Sequence, residues 1–175
     1  MDGYIFQLNC SDGGVPKRSV REAQLTPTGL AGDRQAHPTI HGGPDRALCL
    51  YPLEHINGLK AEGHPIYPGA IGENVTVAGV RWKTLQPGTR LALGDEVIIE
   101  ITAYAGPCST IAGFFTDGQF RRISQKEHPG ESRLYARVIQ TGLLAAGQKV
   151  RVLNGDLSSR SETPSALEET EHGEN

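Results

Sequence analysis

The stretch of sequence that decides the fold reads Trp82-Lys-Thr-Leu-Gln-Pro-Gly-Thr-Arg-Leu-Ala-Leu-Gly-Asp-Glu-Val-Ile-Ile-Glu-Ile-Thr-Ala-Tyr104. It divides into three apolar segments, Trp82–Leu85, Thr89–Leu93 and Glu96–Tyr104, which a Gln-Pro-Gly turn and a Gly-Asp turn separate. Short apolar runs bounded by such turns are typical of strands that follow one another closely. We therefore predict three consecutive strands in the middle of the chain.

The segments on both sides follow the same pattern. Further strands are predicted at Tyr4–Leu8, Arg21–Leu25, Arg46–Tyr51, Val75–Ala78, Tyr135–Gln140 and Lys149–Leu153. The clearest helix runs from Leu53 to about Glu62, and short helical pieces are predicted at Ser109–Phe115 and near Asp117–Ser124. With 22 glycines and 11 prolines in 175 residues, the pattern predicts a mainly β protein, a closed or partly closed barrel with a few short helices.

The charge divides the chain into a body and a tail. From Asn154 onward there are six acidic residues and one basic residue, so residues 1–153 carry 14 acids and 16 bases. We expect one domain over residues 1–153 and an acidic, disordered tail over residues 154–175. The small basic excess of the body favours a small anionic ligand and not nucleic acid.

The sequence also bears on the compartment. No apolar stretch approaches the ~18 residues that a membrane-spanning helix needs, and the first residues lack the pattern of a signal peptide. Three cysteines without a C-x-x-C pair do not form a disulfide framework or a structural zinc site. We expect a cytoplasmic protein that does not interact with membranes, and its oligomeric state stays open.

Cys108 is the one cysteine that the sequence places where chemistry can reach it. It follows a strand and an Ala-Gly-Pro turn, and Pro107 suits the first position of a helix. We expect Cys108 in the first turn of that helix, where the helix dipole favours the thiolate that binds metals and attacks electrophiles. The alternative is that Cys108 packs as a small hydrophobic residue. Cys49 lies in a buried-strand run and is expected in the core.

The loop Thr26–Asp45 is rich in glycine, histidine and charged residues, and loops of this length are often functional. A zinc site that pairs His37 with His41 would suit a helix, which Pro38 opposes. The other hypothesis is an anion site, because consecutive glycines let the backbone approach a phosphate group. Its candidate residues are His41, Gly42, Gly43 and Arg46. The structural alternative is that Asp45 and Arg46 form a pair that braces the loop.

Polar residues elsewhere add candidates. Asn74 offers a donor and an acceptor that could bind the edge of a heterocycle, or it caps a turn. Basic residues at strand and helix ends could converge on an oxyanion, or they are solvated surface charges; they are Lys17, Arg18, Arg121, Arg122, Arg133 and Arg137. A Cys–His hydrolase that pairs Cys108 with His41 or His128 is possible by composition, although no flanking signature supports it.

Several motifs occur in an order that is more specific than any one of them. They are Gly29-Leu-Ala-Gly-Asp-Arg, His41-Gly-Gly-Pro-Asp-Arg-Ala, Tyr51-Pro-Leu-Glu, Pro68-Gly-Ala-Ile-Gly-Glu-Asn, Gly94-Asp95, Pro107-Cys108, Tyr135-Ala-Arg-Val and Gly147. From about Gly14 to Leu153 the chain resembles the MOSC domain, the module at the C-terminus of molybdenum-cofactor sulfurases. It resembles the stand-alone bacterial members and is similar to the type that includes hydroxylaminopurine reductases.

The resemblance implies a β-barrel that binds the molybdenum cofactor, Mo-molybdopterin, with Cys108 as the molybdenum ligand. It implies a reductase of N-hydroxylated compounds, such as hydroxylaminopurines or amidoximes, that depends on a separate electron-transfer protein. The residues expected around the cofactor are Lys17, Arg18, His41, Gly42, Gly43, Arg46, Asn74, Arg122 and Arg133. Two alternatives stay open: a sulfur carrier with a persulfide on Cys108, and a non-catalytic binding module.

The chain departs from the family pattern at one place. Relatives often have an arginine directly before the Pro-Cys pair, whereas this chain has Ala105-Gly106. We expect Arg122 or Arg133 to provide the missing anion contact.

Overall fold

The structure, a computed structural model, describes residues 2–35 and 42–153. Eleven strands are present in these residues: β1 Gly3–Cys10, β2 Arg18–Val20, β3 Glu22–Thr26, β4 Gly29–Leu30, β5 Leu48–Pro52, β6 Val75–Ala78, β7 Arg90–Leu93, β8 Val97–Ala105, β9 Arg133–Gln140, β10 Gly142–Ala145 and β11 Lys149–Leu153. One α-helix, α1 Leu53–Ala61, and five short 3-10 helices complete the described part. The 3-10 helices are Pro44–Arg46, Trp82–Thr84, Ser109–Phe114, Thr116–Gly118 and Phe120–Ile123.

Seven strands close into a barrel. Their order is β11-β7-β8-β9-β5-β6-β1, and β1 pairs with β11 to complete the ring, with Gly3 opposite Val150. All neighbours are antiparallel except β5 and β6, which are parallel and joined through α1. A parallel pair needs a crossover connection, and a helix commonly provides it. Strand β2 extends the sheet beside β1, and β10, β3 and β4 form a second, three-stranded sheet.

The core of the barrel follows from alternation along the strands. In β8, Val97, Ile99 and Ile101 are buried, because successive side chains of a strand point to opposite faces. Leu134 and Ala136 of β9 are also buried in the core, so the residues between and beside them face away from it. That outward face of β9 carries the functional candidates described below.

The structure confirms a mainly β, closed-barrel fold and most of the predicted elements. Strand β6 has the predicted bounds, and the predicted helix is α1. The prediction of a strand at Trp82–Leu85 was wrong, because Trp82–Thr84 forms a 3-10 helix. There the Thr84 hydroxyl and backbone N–H both donate to the carbonyl of Arg81, which closes a local turn.

Other differences are smaller. Strands β2, β4 and β10 were not predicted, and the loop after Thr26 is interrupted by β4. Cys49 is buried, as expected. The predicted tail, residues 154–175, lies outside the described residues.

Candidate functional site

A cleft lies against the outward face of β5 and β9. Cys49 of β5 is directly opposite Tyr135 of β9, and Arg133 precedes Tyr135 by two positions on the same face. Loops before β2, before β6 and after β8 form most of the remaining walls, together with Gln35 after β4 and Arg46 before β5, and the cavity volume is about 140 Å³. The described residues that line it are Gly14, Val15, Lys17, Gln35, Arg46, Cys49, Ile71, Gly72, Asn74, Cys108, Thr110, Ile111, Arg133 and Tyr135.

Cys108 presents a half-buried thiol to this cleft. Its Sγ lies 2.7 Å from Oγ1 of Thr110. Cys108 is the residue immediately before the 3-10 helix Ser109–Phe114 and not a member of its first turn, which corrects the prediction. Because that helix has only six residues and begins after Cys108, the structure offers accessibility in the cleft, and not a helix dipole, as the feature that distinguishes this thiol.

The other two thiols are buried. Burial raises the pKa of the Cys49 thiol to about 11 and also raises the pKa of Cys10. Both sulfurs therefore stay protonated at neutral pH. Of the three cysteines, Cys108 is the one with a half-buried sulfur that remains accessible in the cleft.

A buried ion pair closes one end of the cleft. Nζ of Lys17 lies 2.6 Å from Oδ1 of Asp33, and the two side chains are only 8% and 6% exposed. Nδ2 of Asn74 donates to Oδ2 of Asp33 at 2.8 Å. Asp33 also accepts the backbone N–H of Ser11 at 2.9 Å. Both carboxylate oxygens are thus hydrogen-bonded, which compensates for the burial of the charge.

Asn74 connects this pair to the barrel. Its Oδ1 accepts the backbone N–H of Cys49 at 3.0 Å, and its own backbone N–H donates to the carbonyl of Cys49 at 2.7 Å. Its Nδ2 also donates to the carbonyl of Asn9 at 3.4 Å. Because protein groups already use the amide, Asn74 positions the walls of the cleft instead of offering a free edge to a heterocycle.

Arg133 lies under the loop that carries Cys108. Its Nη1 donates to the carbonyl of Ile71 at 2.5 Å, and its Nη2 donates to the carbonyl of Gly106 at 3.2 Å. The residue is 7% exposed. Its buried Nε has no hydrogen-bond partner among the described residues. Arg133 is therefore the arginine that the structure places at the corner before the Pro-Cys pair.

The cleft as a whole favours an anion. Three of the described lining residues are cationic, Lys17, Arg46 and Arg133, and none is Asp or Glu. The guanidinium of Arg46 lies 5.3 Å from the centre of the Tyr135 ring, a cation–π contact. Val15, Ile71 and Ile111 form an apolar wall that strengthens electrostatic interactions inside the cleft.

Comparison with known proteins identifies the family. Residues 37–151 match the sequence profile of the MOSC domain. The chain belongs to the MOSC domain family. It is 32% identical over 143 residues to the uncharacterized protein YflK of Bacillus subtilis, covering 81% of this chain and 63% of YflK. The chain thus spans less than two thirds of the length of that relative.

Two further relatives support the assignment. Protein YiiM of Escherichia coli is 29% identical over 163 residues, which cover 88% of this MOSC domain protein and 71% of YiiM. The crystal structure of YiiM superposes with a TM-score of 0.67 at 25% identity, over 89% of this chain and 71% of that one. A Gibberella moniliformis protein named "Reductase" is 29% identical over 130 residues, 72% of this chain but 23% of that protein.

The cleft of this MOSC domain protein contains some of the residues that the sequence analysis selected. It brings together Cys108, Lys17, Arg46, Asn74 and Arg133. Two residues that we had not selected also belong to this region. Asp33 pairs with Lys17, and it could have been noticed in the Gly29-Leu-Ala-Gly-Asp-Arg motif. Tyr135 lines the cleft and opens the Tyr-Ala-Arg-Val motif.

Other predicted residues lie elsewhere. Arg122 forms an ion pair with Glu62, with Nε and Nη2 at 2.9 and 2.6 Å from its carboxylate oxygens. Arg18 is exposed on β2, opposite Cys10. Among the described lining residues of the cleft, Arg18, Gly42, Gly43 and Arg122 are not present.

The histidine hypotheses have different outcomes. His37 and His41 lie outside the described residues, so the zinc and anion roles proposed for them stay predictions. His128 is in a turn, where its N–H donates to the carbonyl of Ser124, and it does not line the cleft with Cys108. Within residues 2–35 and 42–153, no group of three or more His, Cys, Asp or Glu side chains could hold a metal ion.

The bracing pair expected in the loop differs from the one observed. Oδ1 of Asp45 lies 3.7 Å from Nη1 of Arg137, and the guanidinium of Arg46 lies over the ring of Tyr135.

None of the helices in the described part of the chain has the length and apolar character required to cross a membrane.

Proposed function

We propose that this MOSC domain protein binds the molybdenum cofactor and reduces N-hydroxylated compounds, with Cys108 as the molybdenum ligand. The position of Cys108 carries the proposal. Its accessible thiol lies in a cleft that has three cationic side chains and an apolar wall. A thiolate is a soft ligand that suits molybdenum, and guanidinium and ammonium groups suit the phosphate of a pterin cofactor.

The donor set of the cleft fits such a cofactor. Nε of Arg133 is buried and lacks a partner in the described part of the chain, and an unpaired buried N–H costs free energy until a ligand accepts from it. An anionic ligand in the cleft would satisfy this donor. Lys17 already pairs with Asp33, and a second anion near its ammonium group would share the charge.

The chain's own residues have separate roles in this proposal. Cys108 would hold the metal, and Arg133 positions the loop of Cys108 through the carbonyl of Gly106. Asn74 and Asp33 keep the opposite wall in place. The apolar residues Val15, Ile71 and Ile111 exclude water from one side of the reacting group.

The reaction converts R–NH–OH, two electrons and two protons to R–NH2 and water. When bound, the cofactor supplies the two-electron redox chemistry, while the protein supplies binding, orientation and electrostatics. We propose that a separate electron-transfer protein delivers the electrons and that solvent supplies the protons. We also propose a cytoplasmic location, where the three free thiols stay reduced.

The test starts from protein purified from molybdate-replete cells. We expect molybdenum and pterin in the wild type and reduction of hydroxylaminopurine with a chemical electron donor. Cys108→Ser should lose the metal and lower the activity by about a hundredfold or more. Cys10→Ala removes a thiol that does not line the cleft, and this control should keep both the metal and the activity.

Two results would contradict the proposal. The first is wild-type protein that holds neither molybdenum nor pterin after growth with molybdate. The second is a Cys108→Ser variant with wild-type metal content and activity. Mass spectrometry of the intact protein separates the sulfur-carrier alternative, because a persulfide adds one sulfur atom to Cys108 and is removed by reductant.

A further inference from the structure

The sulfur atom of Cys108 has one close polar neighbour, the hydroxyl group of Thr110. The two atoms, Sγ of Cys108 and Oγ1 of Thr110, are 2.7 Å apart. Both residues line the cleft. The hydroxyl group is therefore in direct contact with the atom that would hold the metal.

The backbone around Cys108 is fixed on both sides. Before it, Nη2 of Arg133 donates to the carbonyl of Gly106 at 3.2 Å. After it, the N–H of Ile111 donates to the carbonyl of Cys108 at 3.2 Å, and the side chain of Ile111 is buried in the core. These contacts fix the backbone of Cys108, but they leave its side chain a choice of three staggered rotamers.

Thr110 is suited to select one of these rotamers. It belongs to the 3-10 helix Ser109–Phe114, which Ile111 anchors in the core. Threonine is β-branched, so its own side chain has few rotamers. Its hydroxyl group therefore has a restricted position, and a hydrogen bond to it favours the rotamer of Cys108 that keeps Sγ in the cleft.

The state of the sulfur decides which group donates. A thiolate that ligates a metal has no proton, so it can only accept, whereas a hydroxyl group can donate. Hydrogen bonds to an ionised acceptor are stronger than those between neutral groups. Thr110 is exposed at the edge of the cleft, and a ligand that fills the cleft would exclude water from this bond and strengthen it.

A hydrogen bond to a ligand sulfur also affects the metal that the sulfur holds. It stabilises negative charge on the sulfur, and this favours the more electron-rich, reduced state of the centre. In iron–sulfur clusters, hydrogen bonds to the sulfurs are among the features that set the reduction potential. Groups that contact a ligand and not the metal commonly tune metal sites in this way.

We propose, resting on the proposed function, that Thr110 is a positioning residue for Cys108. Its hydroxyl group donates a hydrogen bond to the sulfur, keeps the sulfur in the cleft and raises the reduction potential of the metal centre. This role requires the hydroxyl group and not the methyl group of the side chain. The variant Thr110→Val, which has the same shape, therefore removes the role, and Thr110→Ser keeps it.

A redox titration of the molybdenum-loaded protein, followed by electron paramagnetic resonance, measures the midpoint potential. We expect Thr110→Val to lower it by the equivalent of about a three- to tenfold change in the ratio of reduced to oxidised centre, roughly 28–59 mV for one electron. Thr110→Ser should keep the wild-type potential. Ser109→Ala is the matched control, because this neighbouring hydroxyl is exposed and is not among the described lining residues of the cleft.

A second readout does not need the metal. In crystal structures of the metal-free protein, we expect Sγ of Cys108 in one rotamer in the wild type, Thr110→Ser and Ser109→Ala. We expect several rotamers in Thr110→Val. Thr110 and Ser109 are exposed, so all three variants should fold, and thermal unfolding checks this. Loss of molybdenum from Thr110→Val alone would also support the positioning role.

Three outcomes would overturn the inference. The first is a wild-type midpoint potential in molybdenum-loaded Thr110→Val. The second is an equal shift of the potential in Thr110→Ser and Thr110→Val, which would assign the effect to packing of the side chain. The third is Thr110→Val with Sγ of Cys108 in the wild-type rotamer alone. Failure of the proposed function is a different result, namely wild-type protein without molybdenum, and the rotamer measurement then still tests the contact.

Discussion

At the scale of single residues, the three cysteines differ in what surrounds their sulfur atoms. Cys10 and Cys49 are buried, and burial raises the pKa of both thiols. Cys108 is half-buried and lies in the cleft beside Thr110. The sequence predicted the division between Cys49 and Cys108, because one is in an apolar strand and the other follows a Gly-Pro turn. Of the three cysteines, Cys108 is therefore the one whose sulfur the surroundings leave accessible in the cleft.

Asp33 shows what the sequence could not predict at this scale. Its partners are distant in the chain, Lys17 by 16 residues and Asn74 by 41. Hydrogen bonds between such residues depend on how the strands close into the barrel, and no local pattern of residues specifies them. The same holds for Arg133, which donates to the carbonyls of Ile71 and Gly106; these residues are 62 and 27 positions from it in the sequence.

The fully buried carboxyl of Glu73 leads to a prediction about pH. Its Oε1 accepts the N–H of Gly69 at 2.6 Å, and its Oε2 has no partner among the described residues. Burial is the main cause that raises the pKa of Glu73 above its ordinary value. The carboxyl of Glu73 therefore binds its proton more tightly in the folded protein than in the unfolded chain. As the pH rises from the pKa of this carboxyl in the unfolded chain through its pKa in the folded protein, Glu73 lowers the free energy of unfolding.

We expect Glu73→Gln to remove this loss of stability and to keep the acceptor for Gly69. The melting temperature of the variant should exceed that of the wild type by about 2–4 °C at pH 8, and the difference should shrink at pH 4. Thermal unfolding at both pH values measures it. Glu54 also accepts a backbone N–H, that of Gly79, but from an exposed position, so Glu54→Gln is the control. A difference that grows as the pH falls would contradict the sign.

At the scale of elements, periodicity predicted the strands that have clear alternation. β6 and β8 have apolar and β-branched residues bounded by turns, and the structure confirms them. The segment Trp82–Leu85 has a similar composition, but its backbone forms a helical turn. The indole N–H of Trp82 donates to the carbonyl of Ser132 at 3.0 Å. A four-residue apolar run does not distinguish a strand from a helical turn.

Strand β10 was missed for a different reason. Gly142-Leu-Leu-Ala contains no β-branched residue, and a glycine begins it. It forms a strand because it pairs with β3 in the second sheet, with Leu144 buried opposite Ala23. Tertiary packing outweighs the low strand propensity of these residues.

One buried ion pair, Lys17–Asp33, joins the segment before β2 to the segment after β4 beside the cleft. Asp33 lies after β4, and Lys17 lies just before β2. We expect Asp33→Ala to lower the free energy of unfolding by about 3–5 kcal/mol, because it leaves the ammonium group of Lys17 buried without its counter-ion. Urea unfolding measures this change.

The control for this pair is an exposed one. Arg121 and Glu127 are 70% and 38% exposed, so Glu127→Ala should cost less than about 1 kcal/mol. The double variant Lys17→Met with Asp33→Leu should recover part of the loss, since well-packed apolar residues often replace a buried pair without cost. Equal costs for Asp33→Ala and Glu127→Ala would show that the pair does not hold the loop.

At the scale of the whole molecule, the barrel depends on contacts between the two ends of the described domain. The first strand pairs with the last one, and two further backbone hydrogen bonds join Ile5 to Gln148 and Gly147 at 2.8 and 2.7 Å. Contacts between residues that are distant in the chain require the closure of long loops, which costs conformational entropy. The cleft lies on β5 and β9 within this ring, so its geometry depends on closure.

Strand β11 therefore provides a prediction about the whole fold. Val150 is 2% exposed and lies opposite both Gly3 of β1 and Leu93 of β7, whereas Val152 on the same strand is 43% exposed. We expect Val150→Ala to lower the free energy of unfolding by about 2 kcal/mol, from two lost methyl groups and the cavity they leave. Val152→Ala makes the same chemical change at an exposed site and should lower the free energy of unfolding by less than half as much.

Because closure of the barrel couples all seven strands, fluorescence and circular dichroism should report one coincident unfolding transition for both variants. Separate transitions, or equal costs at the two sites, would mean that β11 does not close the barrel.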